Sequence, residues 1–439
     1  MNNINNLIWV SFCSLLSILI ITNDTQAQQV TVEEIIVTAR QRSESLQDVP
    51  ASITAFTSEQ LESAGVERPE DFISLTPGVT FVDAAEVGDT QVNIRGINGA
   101  RDAENSFALI IDGILHTNPA AFNREYSNLE QIEILKGPQG AIYGRNAAAG
   151  AIIITTKKPE EVTTGKFKAS IANDDTYFGS AYISAPLSDS VGANIQLDWR
   201  DTDGFYNNET LNRKVVDDLT NFNIATRFVI ENTENSTLDI KARYGEVDAA
   251  AISFNAAFAA EFLAGLFGNP LLYEDVNEHN FQFVNNIDPY NEQSSFEVSA
   301  KYDHEFEWGS LTTWALLSDI DNAFGTDGTS GAFGFFFEEP SCIASVDRLN
   351  AAGVTLPGPQ FLNVVPQGSI LGPYTPTSCD ATQYQERYQS DVSFEIRFAS
   401  PSDQQLRWLV GAYVLDIDRR VGVSTGIEDV DIVVPSLYI

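Results

Sequence analysis

The sequence predicts an α+β domain followed by the first part of an antiparallel transmembrane β-barrel. Three observations lead to this fold class. After Lys157-Lys158-Pro159 the hydrophobic pattern changes from irregular to a repeated alternation of period two. The connections between the alternating segments are short and long in turn. Beyond the first 27 residues, no uninterrupted apolar run is long enough to cross a bilayer as a helix.

The chain begins with the pattern of a secretory signal peptide. An apolar run from Leu7 to Ile21 is followed by Thr25-Gln26-Ala27, a small-x-small site for a signal peptidase. The run is short for a membrane-spanning helix. We therefore expect residues 1–27 to direct export and to be removed from the mature protein.

The mature chain then opens with a short acidic segment that turns β-branched, Glu33-Glu34-Ile35-Ile36-Val37-Thr38-Ala39. Residues of this kind favour an extended strand. A strand at the very start of the mature protein is unlikely to reach a core by itself on sequence grounds, so we expect an exposed edge that another protein pairs by strand addition.

Residues 46–160 carry the signals of a compact α+β domain. Thr57 and Ser58 predict the N-cap of a helix over 59–64, which Gly65 ends, and a second helical turn spans 69–74. The strands are predicted at the apolar and β-branched runs 53–56, 92–94, 108–112, 132–135 and 151–155.

Residues 161–439 carry a different signal, strands with one polar and one apolar face. Apolar Leu238 and Ile240, for example, flank charged Asp239. This alternation suits a soluble β-sandwich with its apolar face inward or a membrane barrel with its apolar face toward lipid. We place about nine strands, near 166–172, 177–185, 192–200, 220–230, 236–244, 294–304, 309–318, 387–399 and 405–417.

Connection lengths decide between the two architectures. The second, fourth, sixth and eighth connections are short, whereas the third, fifth and seventh are long. Outer-membrane barrels have tight turns on the periplasmic side and long loops outside, and a sandwich has no reason to place every long loop at one end. Nine strands cannot close around a domain of about 130 residues. We therefore expect the chain to be truncated.

A series of ordered motifs resembles the TonB-dependent receptors of the Gram-negative outer membrane. The resemblance implies a TonB box and linker over 28–45, a plug domain over 46–160, and over 161–439 the N-terminal part of a barrel that has 22 strands in the family. The motifs are Glu34-Ile35-Ile36-Val37-Thr38-Ala39, Val49-Pro50-Ala51-Ser52-Ile53-Thr54, Thr76-Pro77-Gly78-Val79, Ile94-Arg95-Gly96 with Ile111-Asp112-Gly113, and the long run from Asn128 to Gly150.

The resemblance also implies a partner for the first of these motifs. The energy-coupling protein TonB is expected to pair a strand with the box and to pull on the plug through main-chain hydrogen bonds. Strand capacity should then matter more than side-chain identity. The TonB-binding residues are predicted to be Glu34, Ile35, Ile36, Val37, Thr38 and Ala39.

Six charged plug residues are candidates for contacts with the barrel lumen. A plug in a wet lumen is expected to form partly solvated ion pairs with it, each worth only about 0–1 kcal/mol, which suits a plug that must move. The alternative is that a given charge serves the plug alone. The six are Arg95, Asp112, Glu130, Glu133, Lys136 and Arg145.

One long loop carries an aromatic cluster. Such a cluster can stack on a ligand, and it can equally anchor its own loop or meet the lipid interface. The candidates for ligand contact are Phe333, Phe335, Phe336 and Phe337.

Cys342 and Cys379 lie in a Pro-, Gly- and Asn-rich stretch of an exported chain. A disulfide between them is expected, with two free thiols as the alternative. The bridge would restrict the loop between them.

Composition and motifs exclude several classes of function. The net charge of −36 makes nucleic acid an unsuitable partner. The three histidines have no Cys or carboxylate at ligand spacing, so no metal site is assigned. The sequence has no nucleophile elbow and no Ser-His-Asp arrangement, so we predict neither an enzyme nor a bound cofactor.

The resemblance implies TonB-dependent active uptake of a scarce nutrient across the outer membrane. The expected cargo is a ferric siderophore. The alternatives are an oligosaccharide or other carbon source, and a truncated receptor without function. The expected partners are TonB, outer-membrane lipid and the small-molecule ligand, and the receptor is expected to be a monomer.

Overall fold

The computed structural model describes residues 35–38, 41, 44–82, 91–99, 104–208, 211–251, 253, 265, 283, 289–327, 340–353, 381–401 and 404–427. Within them the predicted fold class is confirmed, because an α+β domain precedes an antiparallel sheet of nine strands. Among these residues, no helix combines the length and the apolar character that a membrane crossing requires.

The α+β domain is built on a five-stranded sheet of order β3-β8-β9-β6-β7, in which only β6 and β9 are parallel. Two further pairs, β1-β2 and β4-β5, complete its strands. The strands are β1 (Ile36–Val37), β2 (Glu44–Ser45), β3 (Ser52–Thr57), β4 (Val79–Val82), β5 (Gln91–Ile94), β6 (Phe107–Ile111), β7 (Ile114–His116), β8 (Leu129–Lys136) and β9 (Gly150–Thr156).

The helices of this domain are short. They are α1 (Ser58–Ser63), α2 (Pro69–Ser74), α3 (Gly140–Tyr143) and a 3₁₀ turn over Pro119–Phe122. The predicted cap of α1 is confirmed, since the Thr57 hydroxyl accepts from the Gln60 N–H while the Gln60 amide oxygen accepts from the Thr57 N–H. Pro69 opens α2, where a missing N–H costs nothing.

Apolar side chains cover both faces of the five-stranded sheet. On β6, Leu109 faces one hydrophobic cluster and Ile110 faces the other, as the period of a strand requires. The first cluster includes Phe107 and Phe122, whose rings meet edge to face at 5.4 Å. The second includes Trp314, which comes from the nine-stranded sheet. The plug core is therefore partly shared with the barrel wall.

Gly150 lies at a close approach of two strands in this core. A Cβ at this position would lie 2.1 Å from the Leu135 carbonyl oxygen, which β8 holds in place. We expect Gly150→Ala to destabilise the plug by about 1–3 kcal/mol, since the strands must move apart. Thermal unfolding of the purified protein measures this. Gly140→Ala is the control, because no atom lies within 4 Å of its added Cβ, and an equal loss in both variants would contradict the steric explanation.

The nine remaining strands form one sheet in chain order, with β10 and β18 at its edges. Short turns join β11 to β12, β13 to β14, β15 to β16 and β17 to β18, as predicted. The strands are β10 (Thr164–Ala172), β11 (Thr176–Ser188), β12 (Val191–Thr202), β13 (Leu219–Thr233), β14 (Ser236–Ala249), β15 (Tyr290–Phe306), β16 (Gly309–Asp327), β17 (Ala381–Ala399) and β18 (Leu409–Ile427). A helix, α4 (Pro340–Ala351), lies between β16 and β17.

Several strands are longer than predicted on the side of the long loops. β16 was expected to end near residue 318 and continues to Asp327. Outward-facing Asp319 and Asp321 break the apolar alternation there, but main-chain pairing with β17 continues past them. Backbone pairing does not depend on which side chains face outward, so the pattern underestimates the strand.

The two faces of this sheet are arranged as in a membrane barrel. On β12, Gln196 and Asp198 face inward and are buried, while Leu197 and Trp199 face outward and are 38% and 41% exposed. A soluble sandwich would bury the opposite face. The polar face of the sheet lies against the plug, and this contact contains the candidate functional sites.

Candidate functional site: the docked box and the seat of the plug

The described part of the segment 34–39 is docked on the plug. β1 pairs with β2, placing Ile36 opposite Ser45 and Val37 opposite Glu44. Val37 is fully buried in the second hydrophobic cluster. The expectation of a freely exposed edge is therefore wrong for residues 35–38, because the chain turns back at 44–45 and supplies its own partner strand. Glu34 and Ala39 lie outside the described residues.

Side chains from β8 cover the other edge of β1. The Thr38 backbone N–H lies 2.8 and 3.0 Å from the two carboxylate oxygens of Glu133, and the Thr38 hydroxyl donates to the same carboxylate at 3.0 Å. The Gln131 amide donates to the Ile36 carbonyl oxygen at 2.9 Å. Glu133 was considered for a contact with the barrel, and the structure places its carboxylate against the box.

Asp112 is the plug's contact with strands β13 and β14. Its carboxylate pairs closely with the Lys241 ammonium and lies 3.6 Å from the Arg227 guanidinium, which also forms an ion pair with Asp239 at 2.6 Å. The side chains of Asp112 and Arg227 are 3% and 6% exposed. The pairs are buried, so the expectation of partly solvated contacts is wrong here.

A tight turn holds Asp112 in place. Asp112 and Gly113 have φ of 53° and 85° between paired Ile111 and Ile114, the left-handed values of a type I′ hairpin turn. The Asp112 carboxylate also accepts from the N–H and the hydroxyl of Thr156, each at 2.8 Å. Burial acts to raise the pKa of Asp112, but Lys241 and Arg227 outweigh it and hold that pKa well below its usual range.

Arg124 makes a second contact with the same wall. Its guanidinium forms a two-point ion pair with Glu297 of β15, at 2.9 and 3.2 Å. Arg243 of β14 lies 3.3 Å from the same carboxylate, and His116 Nδ1 lies 3.0 Å from it. The plug thus offers an acid to basic strands at Asp112 and a base to an acidic strand position at Arg124. This reciprocal arrangement defines how the plug sits.

Two further contacts secure other sides of the plug. Arg200 of β12 pairs with Glu67 at 2.6 Å and with Glu125 at 2.7 Å. Burial raises the pKa of Glu125, although the Arg200 hydrogen bond opposes it. On β18, Arg419 pairs with Glu104 at 2.7 Å.

The remaining charged candidates have partners within the plug. Arg95 donates to the Ser52 hydroxyl at 2.6 Å, and the Lys136 ammonium donates to the Thr54 hydroxyl and the Pro77 carbonyl, each at 3.1 Å. Arg145 lies 3.2 Å from Glu104. Glu130 is exposed. These four residues brace turns and strand ends of the plug itself.

The loop candidates cannot be placed. Phe333, Phe335, Phe336, Phe337 and Cys379 lie outside the described residues, as does the side chain of Cys342. The predicted ligand contacts and disulfide stay predictions.

Sequence reasoning missed several plug residues that contact the barrel. The available signal was the adjacent Arg124-Glu125 pair, two opposite charges that follow the apolar run Pro119–Phe122. The polar faces of β14 and β15 were visible as alternation but carried no indication of their partners. The missed residues are Glu67, Glu104, His116, Thr117, Arg124 and Glu125.

Beyond the plug, a cavity of about 1280 Å³ opens toward the ends of the strands that carry the long loops. Gln293, Asn322, Arg387 and Arg419 are among its lining residues. A second cavity, of about 1050 Å³, lies between the plug and the short-turn ends of the strands and borders Thr38, Tyr143 and Arg397.

Comparison with known proteins agrees with this geometry. The TonB-dependent receptor plug domain matches residues 45–151. The chain is 27% identical to the pesticin receptor of Yersinia pestis over 174 residues, which are 39% of this chain and 25% of that receptor. It is 24% identical to the ferrioxamine receptor of Yersinia enterocolitica over 261 residues, 57% of this chain and 34% of that receptor.

The fold is also similar to that of a solved structure, the ferric yersiniabactin uptake receptor FyuA from Yersinia pestis. The TM-score is 0.66 at 14% identity, and the match covers 86% of this chain and 50% of FyuA. The chain thus spans half or less of the length of these relatives.

Proposed function

Since this chain belongs to the TonB-dependent receptors of the outer membrane, we propose that it serves the active uptake of a ferric siderophore with TonB as its partner. The observation that carries the proposal is a plug seated by paired charges against a barrel wall, with a strand-forming box at its edge. A passive pore would need neither the box nor the plug.

The need for TonB follows from where the protein works. The outer membrane has no ATP, and its porins leak small ions, so uphill uptake there must borrow energy from the inner membrane. A strand at the edge of the plug is a suitable point of attachment, because main-chain pairing transmits force without requiring particular side chains. In this proposal TonB binds Glu34, Ile35, Ile36, Val37, Thr38 and Ala39.

The siderophore cargo is supported by the names of the relatives, which are receptors for ferrioxamine and for ferric yersiniabactin. The cavity on the loop side has room for a ligand of this size at about 1280 Å³, and Arg387 and Arg419 border it together with amide side chains. Ligand contact by the aromatic cluster at 333–337 is part of the same proposal.

Growth of a deletion strain tests the proposal. On iron-chelated medium with ferrioxamine or yersiniabactin as the iron source, the strain should grow poorly, and the intact gene should restore growth. Iron should repress expression of the gene. Growth with ferrous iron in excess is the control and should not differ between the strains. A growth defect confined to media with glycans as the carbon source would contradict the siderophore assignment.

A further inference from the structure

We propose that Glu133 is a latch that keeps the TonB box docked on the plug, so that release of this one carboxylate controls access of TonB to the box. The inference rests on the proposed function, because it concerns how available the same TonB-binding segment is. The latch consists of Glu133 and its neighbour on β8, Gln131.

The first reason is that both edges of the box strand are occupied. β2 pairs with one edge of Ile36 and Val37, and the Leu46 N–H donates to the Ile35 carbonyl at 2.9 Å. On the other edge, Gln131 and Glu133 bond to the main chain of Ile36 and Thr38. Strand addition requires a backbone edge with free N–H and C=O groups. TonB therefore has to displace one of these two sets of contacts before it can pair.

The second reason is that the latch residue depends on the box. Glu133 is 1% exposed, and Thr38 supplies it with a backbone N–H and a hydroxyl. A carboxylate accepting such bonds forms charge-assisted contacts, which are stronger than neutral ones. When the box leaves, this buried carboxylate loses those donors, and Val37 leaves its apolar site at the same time. Both losses favour the docked state.

The third reason is that the latch lies next to open space. The cavity of about 1050 Å³ borders Thr38 and Gln41 and extends to the short-turn ends of β15 to β18. Water or an approaching strand can reach the box from this side without unfolding the plug core. Only the Glu133 and Gln131 contacts, the β1-β2 pairing and Val37 then have to be given up, so release is a local event.

Binding of the periplasmic domain of TonB tests the latch. The purified receptor in detergent, with no siderophore added, is titrated with the purified TonB domain. Glu133→Gln removes the charge and one of the two acceptor oxygens that Thr38 uses. We expect this variant to bind the TonB domain about tenfold more tightly than the wild type, because less free energy is spent on undocking. Glu59→Gln, the same change at an exposed position on α1, is the control and should bind like the wild type.

A second variant covers the case in which Glu133→Gln fails to fold. Gln131→Ala removes the bond to the Ile36 carbonyl from a half-buried side chain and leaves the box sequence intact. It should tighten binding several-fold. If the wild type binds the TonB domain and neither variant binds it more tightly, the latch is overturned while the proposed function stands. If the TonB domain binds none of these proteins, the proposed function fails and the latch fails with it.

Discussion

Asp112→Asn should weaken the seating of the plug by about 3–5 kcal/mol, the cost of removing one partner from a buried ion pair. The asparagine side chain has nearly the same shape and tolerates the left-handed turn, so the change acts on charge. It leaves Lys241 and Arg227 buried next to a neutral amide. Differential scanning calorimetry of the purified protein measures the loss as a lower unfolding temperature of the plug.

A second ion pair between plug and barrel provides the matched control. Lys166 and Glu62 also join the two parts, at 2.6 Å, but their side chains are 48% and 60% exposed. Glu62→Gln should therefore cost at most about 1 kcal/mol. If the two variants lose the same stability, burial does not decide the strength of these contacts, and the account of the seat given above is wrong.

The same pair makes a prediction for pH. The folded-state pKa of Asp112 lies below its unfolded value, which is about 3.9. Its contribution is therefore fully present above pH 4 to 5 and is lost as the pH falls through the folded pKa. The stability difference between wild type and Asp112→Asn should stay constant from about pH 5 to pH 8 and shrink only in more acid solution.

Ile36→Pro should reduce uptake of the iron complex to the level of a strain without the receptor, while the ligand still binds at the cell surface. Proline has no N–H and restricts φ, so it prevents the main-chain pairing through which TonB is proposed to pull. Uptake and surface binding of a radiolabelled ferric siderophore, measured on the same cells, separate the two effects.

Ile36→Ala is the comparison for this variant. Alanine keeps the N–H and shortens a side chain that is 46% exposed. It should reduce uptake far less than proline does, because strand pairing is retained. Strong uptake by the proline variant would show that coupling does not depend on main-chain pairing at this position.

Much of the architecture follows from local features of the sequence. The turn Ile111-Asp112-Gly113-Ile114 requires two successive left-handed residues, which Asp and Gly tolerate, so its hairpin is specified by four neighbours. The Thr57 cap of α1 is equally local. The nine strands of the wall were visible because alternation of period two is a property of each strand by itself.

The positions of functional side chains depended on partners far away in the chain. Glu133 was a candidate for the barrel contact and instead holds Thr38, a residue 95 positions earlier. Arg124 pairs with Glu297 across a separation of 173 positions. No local pattern states which of many acids and bases will meet, since the register between the plug and the strands decides it.

The sequence by itself determined the two regions, their strands and turns, and the strand-forming character of the segment 34–39. These follow from backbone propensity and side-chain period, which act over a few residues. Only the tertiary structure decided that Val37 is buried, that the box is paired on both edges, and that Asp112 is enclosed by Lys241 and Arg227. Burial and ion pairing are properties of surfaces brought together by folding, so a list of residues in order cannot contain them.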